Sequence, residues 1–237
     1  MLNSVLLKYC GGVVAILGLL NSCQSSSGSG QQPVPIGQSS VQNRTYVNPV
    51  FEPILADPTV VRNPQNKLFH AYGTADNWGD GKGPRLVSIL QSKDLVHWTW
   101  IGTAFSVKPN WKPEGGIWAP DVVFLNGKYV MYYAYSTWGD PNPGIGVAVA
   151  DEPEGPFVDQ GKLFDSKSID VPNSIDPYFF RENNQNYLFW GSFSDAATQG
   201  TYGVPLDNDG IQVPNFSKKF KIAAGDFEAV VIHKRKG

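Results

Sequence analysis

The sequence predicts an all-β chain built as a β-propeller, on three observations. Gly and Pro are abundant, at 25 and 18 of 237 residues. An acidic residue followed by a strand, turn, strand pattern recurs along the chain, and a second set of positions repeats in step with it. Such dense Gly and Pro punctuation favours short strands joined by tight turns over long helices. Charged residues make up 17% and aromatics 13%, a balance too apolar for a disordered chain. With 19 Lys and Arg against 21 Asp and Glu, the formal net charge of -2 gives no cationic surface for nucleic acid.

The first unit begins at Asp57 and reads as a strand over residues 57–61; the second begins at Asp121 and the third at Asp176. Polar turn residues follow (63–66, 126–127 and 182–186), then aromatic-rich strands at 68–72, 129–135 and 187–190. Each unit therefore opens with a hairpin. A fourth unit starts at Glu228 and continues Ala229-Val230-Val231-Ile232, so the acidic positions are spaced by 64, 55 and 52 residues. Trp98, Gly102 and Phe105 recur as Phe157, Gly161 and Phe164, each 59 residues later, which extends the period into the outer strands. Units of that size made only of strands fit propeller blades. A β-sandwich also has evenly spaced short strands, but gives no reason for two registers to repeat together.

The first strand of every propeller blade lines a central channel, and all run the same way. Asp57, Asp121, Asp176 and Glu228 are thus expected around one mouth of that channel. Crowded carboxyls raise some of their own pKa values, and such a cluster suits acid and base chemistry or cation binding. The alternative is that the Asp-Pro pairs merely cap turns at strand starts; spacing alone leaves both readings open.

The N-terminus is organised differently. Lys8, an apolar run over 13–20 and then small polar residues have the layout of a secretory signal covering residues 1–22. The run is shorter than the roughly 20 apolar residues of a membrane span. Leu20-Asn21-Ser22-Cys23 resembles the bacterial lipoprotein signal, which implies acylation of Cys23 and attachment to the cell envelope, at the outer membrane or in the periplasm. Residues 23–46 then form the lipidated cysteine and a flexible Ser, Gly, Gln and Pro linker, and residues 47–237 the propeller domain. Cys10 leaves with the signal and Cys23 carries lipid. The folded part is expected to contain no disulfide, thiol nucleophile or Cys-ligated zinc.

Other motifs fail on spacing. Gly79-Asp80-Gly81-Lys82-Gly83 lacks the phosphate-loop pattern, and residues 76–81 put Trp78 where an EF-hand needs an oxygen ligand. His70, His97 and His233 are scattered and read as strand residues, which argues against a His-based metal site or a Ser-His triad.

Ala56-Asp57-Pro58, Trp118-Ala119-Pro120-Asp121, Ser174-Ile175-Asp176-Pro177 and Phe227-Glu228-Ala229 resemble the successive signatures of glycoside hydrolase family 43. Ser92-Lys93-Asp94-Leu95-Val96-His97-Trp98, Glu154-Gly155-Pro156-Phe157 and Trp190-Gly191-Ser192-Phe193 also match its blade pattern, so the likeness covers about residues 47–237. The resemblance implies a five-bladed propeller that cleaves arabinose- or xylose-containing glycans with inversion at the anomeric carbon. Residue by residue, it implies that Asp57 is the general base that activates water and Glu228 the general acid. Asp176 is the carboxylate that orients the acid and tunes its pKa, its negative charge pushing that of Glu228 upward. Asp226 reads as a turn residue. Ala134-Tyr135-Ser136-Thr137-Trp138-Gly139, Gly144-Ile145-Gly146-Val147-Ala148 and the Trp190 motif are similar to arabinan-cleaving members, with β-xylosidase or exo-arabinofuranosidase action as alternatives.

Trp118 and Asp121 are expected to line the substrate pocket, with packing between blades the other reading of Trp118, and Trp78, in a Gly-rich loop, is a candidate sugar platform. No cofactor is required. The resemblance does imply a cation, commonly calcium, in the channel of a complete propeller, no metal ligand being assigned in this sequence. The partners expected are a glycan and the lipid anchor, for a monomer that binds no nucleic acid. A non-catalytic glycan-binding propeller is the reading from another class. Five blades of about 55 residues need about 275 beyond the linker, so the sequence reads as C-terminally truncated, with three blades and the start of a fourth. Alone it is expected to hydrolyse little or nothing.

Overall fold

The computed structural model describes residues 45–192 and 197–235. The signal segment, Cys23 and most of the linker therefore lie outside the described residues, as does Phe193. No helix among the described residues is long and apolar enough to cross a membrane.

Among the described residues, fourteen strands follow in chain order. They are β1 (Thr59–Arg62), β2 (Phe69–Tyr72), β3 (Asp76–Asn77), β4 (Pro84–Arg85), β5 (Ser88–Ser92), β6 (Trp98–Thr103), β7 (Gly116–Leu125), β8 (Lys128–Ser136), β9 (Gly144–Ala150), β10 (Val158–Asp165), β11 (Ser174–Glu182), β12 (Gln185–Ser192), β13 (Gly200–Pro205) and β14 (Phe220–Ala224). They make three four-stranded antiparallel sheets, ordered β1-β2-β5-β6, β7-β8-β9-β10 and β11-β12-β13-β14, plus the small ribbon β3-β4. The only α-helix among the described residues is one turn, Ser166–Ile169, held by a capping box between Asp165 and Ser168.

The pleat explains how the sheets stack. Successive side chains of a strand point to opposite faces, and β8 uses both. Met131, Tyr133 and Tyr135 pack with Tyr72 and Ile89 of the first sheet and with Phe105 just after it, while Val130 and Tyr132 pack with Leu188, Trp190 and Val204 of the third. The middle sheet is thus apolar on both sides, which is why the aromatic run at 129–135 shows no polar alternation. Trp190 is fully buried; its indole N–H donates to the Ser174 hydroxyl at 3.1 Å, and its ring stacks on Tyr202.

Both sequence registers have a structural counterpart. Gly102 and Gly161 each follow one unpaired residue where the outermost ladder slips, in β6 against β5 and in β10 against β9, and Phe105 and Phe164 after them are buried. Three expectations need correction. The segment after Glu228 has no strand assignment and runs without a ladder, because a strand is defined by its neighbour and none of the described residues pairs with it. His233, in that segment, is therefore not a strand residue. His97 lies in the bend before β6 rather than on a strand, with Nδ1 2.8 Å from the Asp94 carboxylate.

Candidate active site

The innermost strands β1, β7 and β11 are neighbours, and each carries the same irregularity. Asp57, Ala119 and Asp176 immediately precede Pro58, Pro120 and Pro177, with φ of 48°, 41° and 54°. Left-handed backbone is uncommon for residues other than Gly, though Asp tolerates it better than most. In β7 and β11 the ladder to the second strand skips these positions, from Trp118 to Asp121 and from Ile175 to Tyr178. Bulges of this kind re-aim side chains and concentrate beside functional sites.

The re-aimed side chains meet. Asp57, Asp176 and Glu228 line one cleft of about 750 Å³, together with Thr74, Trp118, Trp138 and Asp140. The Asp57 carboxylate accepts a 2.6 Å hydrogen bond from the Thr74 hydroxyl. Asp176 accepts the Ala229 N–H at 2.9 Å, so it grips the peptide that follows Glu228. Burial pushes Asp176 up to about 6; the Ala229 N–H pulls it back, and the negative charges of Glu228 and Asp57 add to the rise. Gly191 gives the Glu228 segment room: a Cβ there would lie 2.7 Å from the Phe227 carbonyl oxygen and 3.2 Å from the Glu228 Cα.

One wall of the cleft is aromatic. Trp118 and Trp138 sit 5.5 Å apart, centroid to centroid, with 42° between their planes, and Trp138 is 95% exposed. A large apolar ring left in water beside polar groups suits the face of a sugar. Asp140 is anchored beside it by an ion pair to Lys112 and by the Ser136 hydroxyl at 3.0 Å.

Asp121 does not line the larger cleft, which corrects its expected place at the mouth with the other three acids. The left-handed positions align Asp57 with Ala119 and Asp176, not with Asp121, which stands two residues further along its strand. It is only 8% exposed and lines a smaller space of about 260 Å³ that Asp57 and Asp176 also line. One of its oxygens takes the Thr59 hydroxyl of β1 at 3.1 Å, and the other the Phe179 N–H of β11 at 2.6 Å. Asp121 thus ties three inner strands together beside the two acids. Burial pushes it up to about 6, against the pull of both hydrogen bonds.

Trp78 is also elsewhere. Its ring lies 4.0 Å from the Arg85 guanidinium carbon and packs on Phe51 and Trp100, a cation–π cluster at the β3-β4 ribbon. It does not line the cleft. Trp138, on the corresponding loop of the second sheet, does. Its signal was the Trp-Gly pair ending the 134–139 motif, whereas Thr74 and Asp140 had no distinguishing mark.

Calcium takes six to eight oxygen ligands, but both Asp121 oxygens in the channel are engaged. No group of three or more His, Cys, Asp or Glu residues among the described residues could hold a metal ion. The described residues thus do not by themselves fit the channel cation that the resemblance implies.

Acidic side chains from separate segments, gathered beside tryptophan rings in one cleft, define a candidate glycosidase. The family model for glycosyl hydrolases family 43 matches residues 46–237, and the chain belongs to that family. An extracellular endo-alpha-(1->5)-L-arabinanase of Thermotoga petrophila is 28% identical over 211 residues, covering 75% of this chain and 41% of that protein. Extracellular endo-alpha-(1->5)-L-arabinanase 1 of Bacillus subtilis is 32% identical over 148 residues, 59% of this chain and 44% of the relative. Among solved structures, the native Bacillus subtilis arabinanase superposes with a TM-score of 0.60 at 27% identity, covering 73% of this chain and 57% of that one. The chain spans about half the length of these relatives.

Asp121→Asn keeps an acceptor for the Phe179 N–H and lets the Thr59 hydroxyl reverse its role, while removing the titrating group. Asp121 binds its proton more tightly folded than unfolded, so it stabilises the fold at low pH and loses that contribution as pH rises from about 4 through about 6. Urea unfolding is expected to show the variant gaining about 2–3 kcal/mol relative to wild type between pH 4 and pH 7.5. A difference independent of pH contradicts the assignment.

Proposed function

We propose that the cleft hydrolyses α-L-arabinofuranosidic bonds of arabinan with inversion. Asp57 removes a proton from a water whose oxygen attacks the anomeric carbon. As the bond to the leaving oxygen breaks, Glu228 transfers its proton to that oxygen. The products are two hydroxyl-terminated sugars, with the proton balance restored by solvent. Asp176 holds the Glu228 peptide through the Ala229 N–H and contributes the negative charge that keeps a proton in the cluster. The observation that carries this reading is the meeting of three carboxyls from separate segments in one cleft, with Asp176 sensing the charges of the other two.

Trp118 and Trp138 form the platform for a pentose ring. Arabinan is favoured over xylan by the names of the relatives, which are arabinanases. A monomeric enzyme tethered through a lipid on Cys23 to a bacterial envelope fits the N-terminal pattern and a polymeric substrate found outside the cell.

The test uses the longest natural reading frame that contains residues 1–237. Asp57→Asn and Glu228→Gln are each expected to lower kcat on arabinan about 100-fold or more, and Trp138→Ala to raise KM with a smaller change in kcat. Retained turnover in either acid variant removes the role assignment. Oligosaccharide binding by the wild type without product release identifies a glycan-binding protein instead. Cys23→Ser is expected to release the protein from the membrane fraction; an unchanged distribution contradicts the anchor.

A further inference from the structure

The Thr74 hydroxyl links two sheets at the point where Asp57 enters the cleft. Thr74 follows Gly73 at the end of β2, and its backbone N–H donates to the Ala56 carbonyl at 2.9 Å. Its hydroxyl oxygen accepts the Ala119 N–H at 2.8 Å and donates to Asp57 Oδ2 at 2.6 Å. Ala119 belongs to β7 of the second sheet and is itself one of the left-handed residues before proline.

This arrangement fixes a direction. A hydroxyl has one proton. With the Ala119 amide occupying a lone pair, that proton is left for Asp57, which must present Oδ2 as an acceptor. We propose that Thr74 is the positioning residue for Asp57: it clamps Oδ2, holds the carboxylate in one rotamer and leaves Oδ1 to take the proton from water. The proposal rests on the reading of Asp57 as general base, and adds that the base is oriented from the neighbouring sheet. A carboxylate on a left-handed residue at a strand entrance has little other restraint on its side chain. Displacements of about 1 Å at a reacting group cost up to about 100-fold in rate.

Thr74→Val keeps the shape and removes the hydroxyl; Thr74→Ser keeps the hydroxyl. In the longest natural reading frame, Thr74→Val is expected to lower kcat about 10- to 100-fold with KM within about twofold, and Thr74→Ser to stay within about threefold of wild type. A 2,4-dinitrophenyl arabinofuranoside, whose leaving group needs no protonation, is expected to show the same loss for Thr74→Val, because the base and not the acid is misplaced. Crystal structures give a second readout that needs no turnover: Asp57 swings away or splits between rotamers in Thr74→Val and stays in place in Thr74→Ser. Thr74→Val with unchanged kcat and an unmoved Asp57 overturns the proposal, as does a loss that Thr74→Ser fails to rescue. If Asp57→Asn itself retains turnover, it is the reading of Asp57 as base that falls. If Asp57→Asn is inactive while Thr74→Val is not, the proposal for Thr74 falls alone.

Discussion

The site depends on a backbone constraint repeated in three strands: a residue held at positive φ immediately before a proline. At Asp57 and Asp176 that residue is a carboxylic acid, and the irregular backbone turns the side chain out of the pleat into a shared cleft. At Ala119 the same position carries no functional group, and its backbone N–H serves Thr74 instead. The strain of left-handed backbone is local, of the order of 1–2 kcal/mol per residue. It persists because the flanking strands are locked in ladders and packed on aromatic cores.

Asp121 supplies the complementary restraint. Its two oxygens take hydrogen bonds from β1 and β11 while its own backbone belongs to β7, so one buried carboxylate binds three sheets at their inner edges. A buried charge is costly unless hydrogen-bonded, and here both oxygens are satisfied. The acids therefore differ in place: Asp57, Asp176 and Glu228 line the larger cleft, and Asp121 joins the strands next to the first two.

Much of this was legible in the sequence. The hairpins and the blade-sized period followed from spacing, and the convergence of Asp57, Asp176 and Glu228 from the family motifs, because repeated units present the starts of their inner strands to one place. The register of Asp121 did not follow. Its motif shares the acidic letter of the other units, but the left-handed position falls on Ala119, and a shift of two residues moves a side chain to another place on the same face. Trp78 and Trp138 occupy comparable loops with comparable chemistry; only the neighbouring Arg85 and Trp100 draw the first away from the cleft. Thr74 carries no sequence signal, since its part depends on an amide 45 residues away.

What joins Asp57, Asp176 and Glu228 is electrostatic coupling. Asp176 is half-buried and accepts the amide beside Glu228; its partial burial is the main cause that raises it to about 6, and the charges of Glu228 and Asp57 add to the rise. Carbon-detected NMR titration of the Asp176 carboxyl, in wild type and in variants neutral at position 57 or 228, tests that convergence most directly. The account predicts a midpoint near 6 that falls when either neighbour loses its charge. A midpoint near 4 that ignores both substitutions would show that the three acids do not share a site.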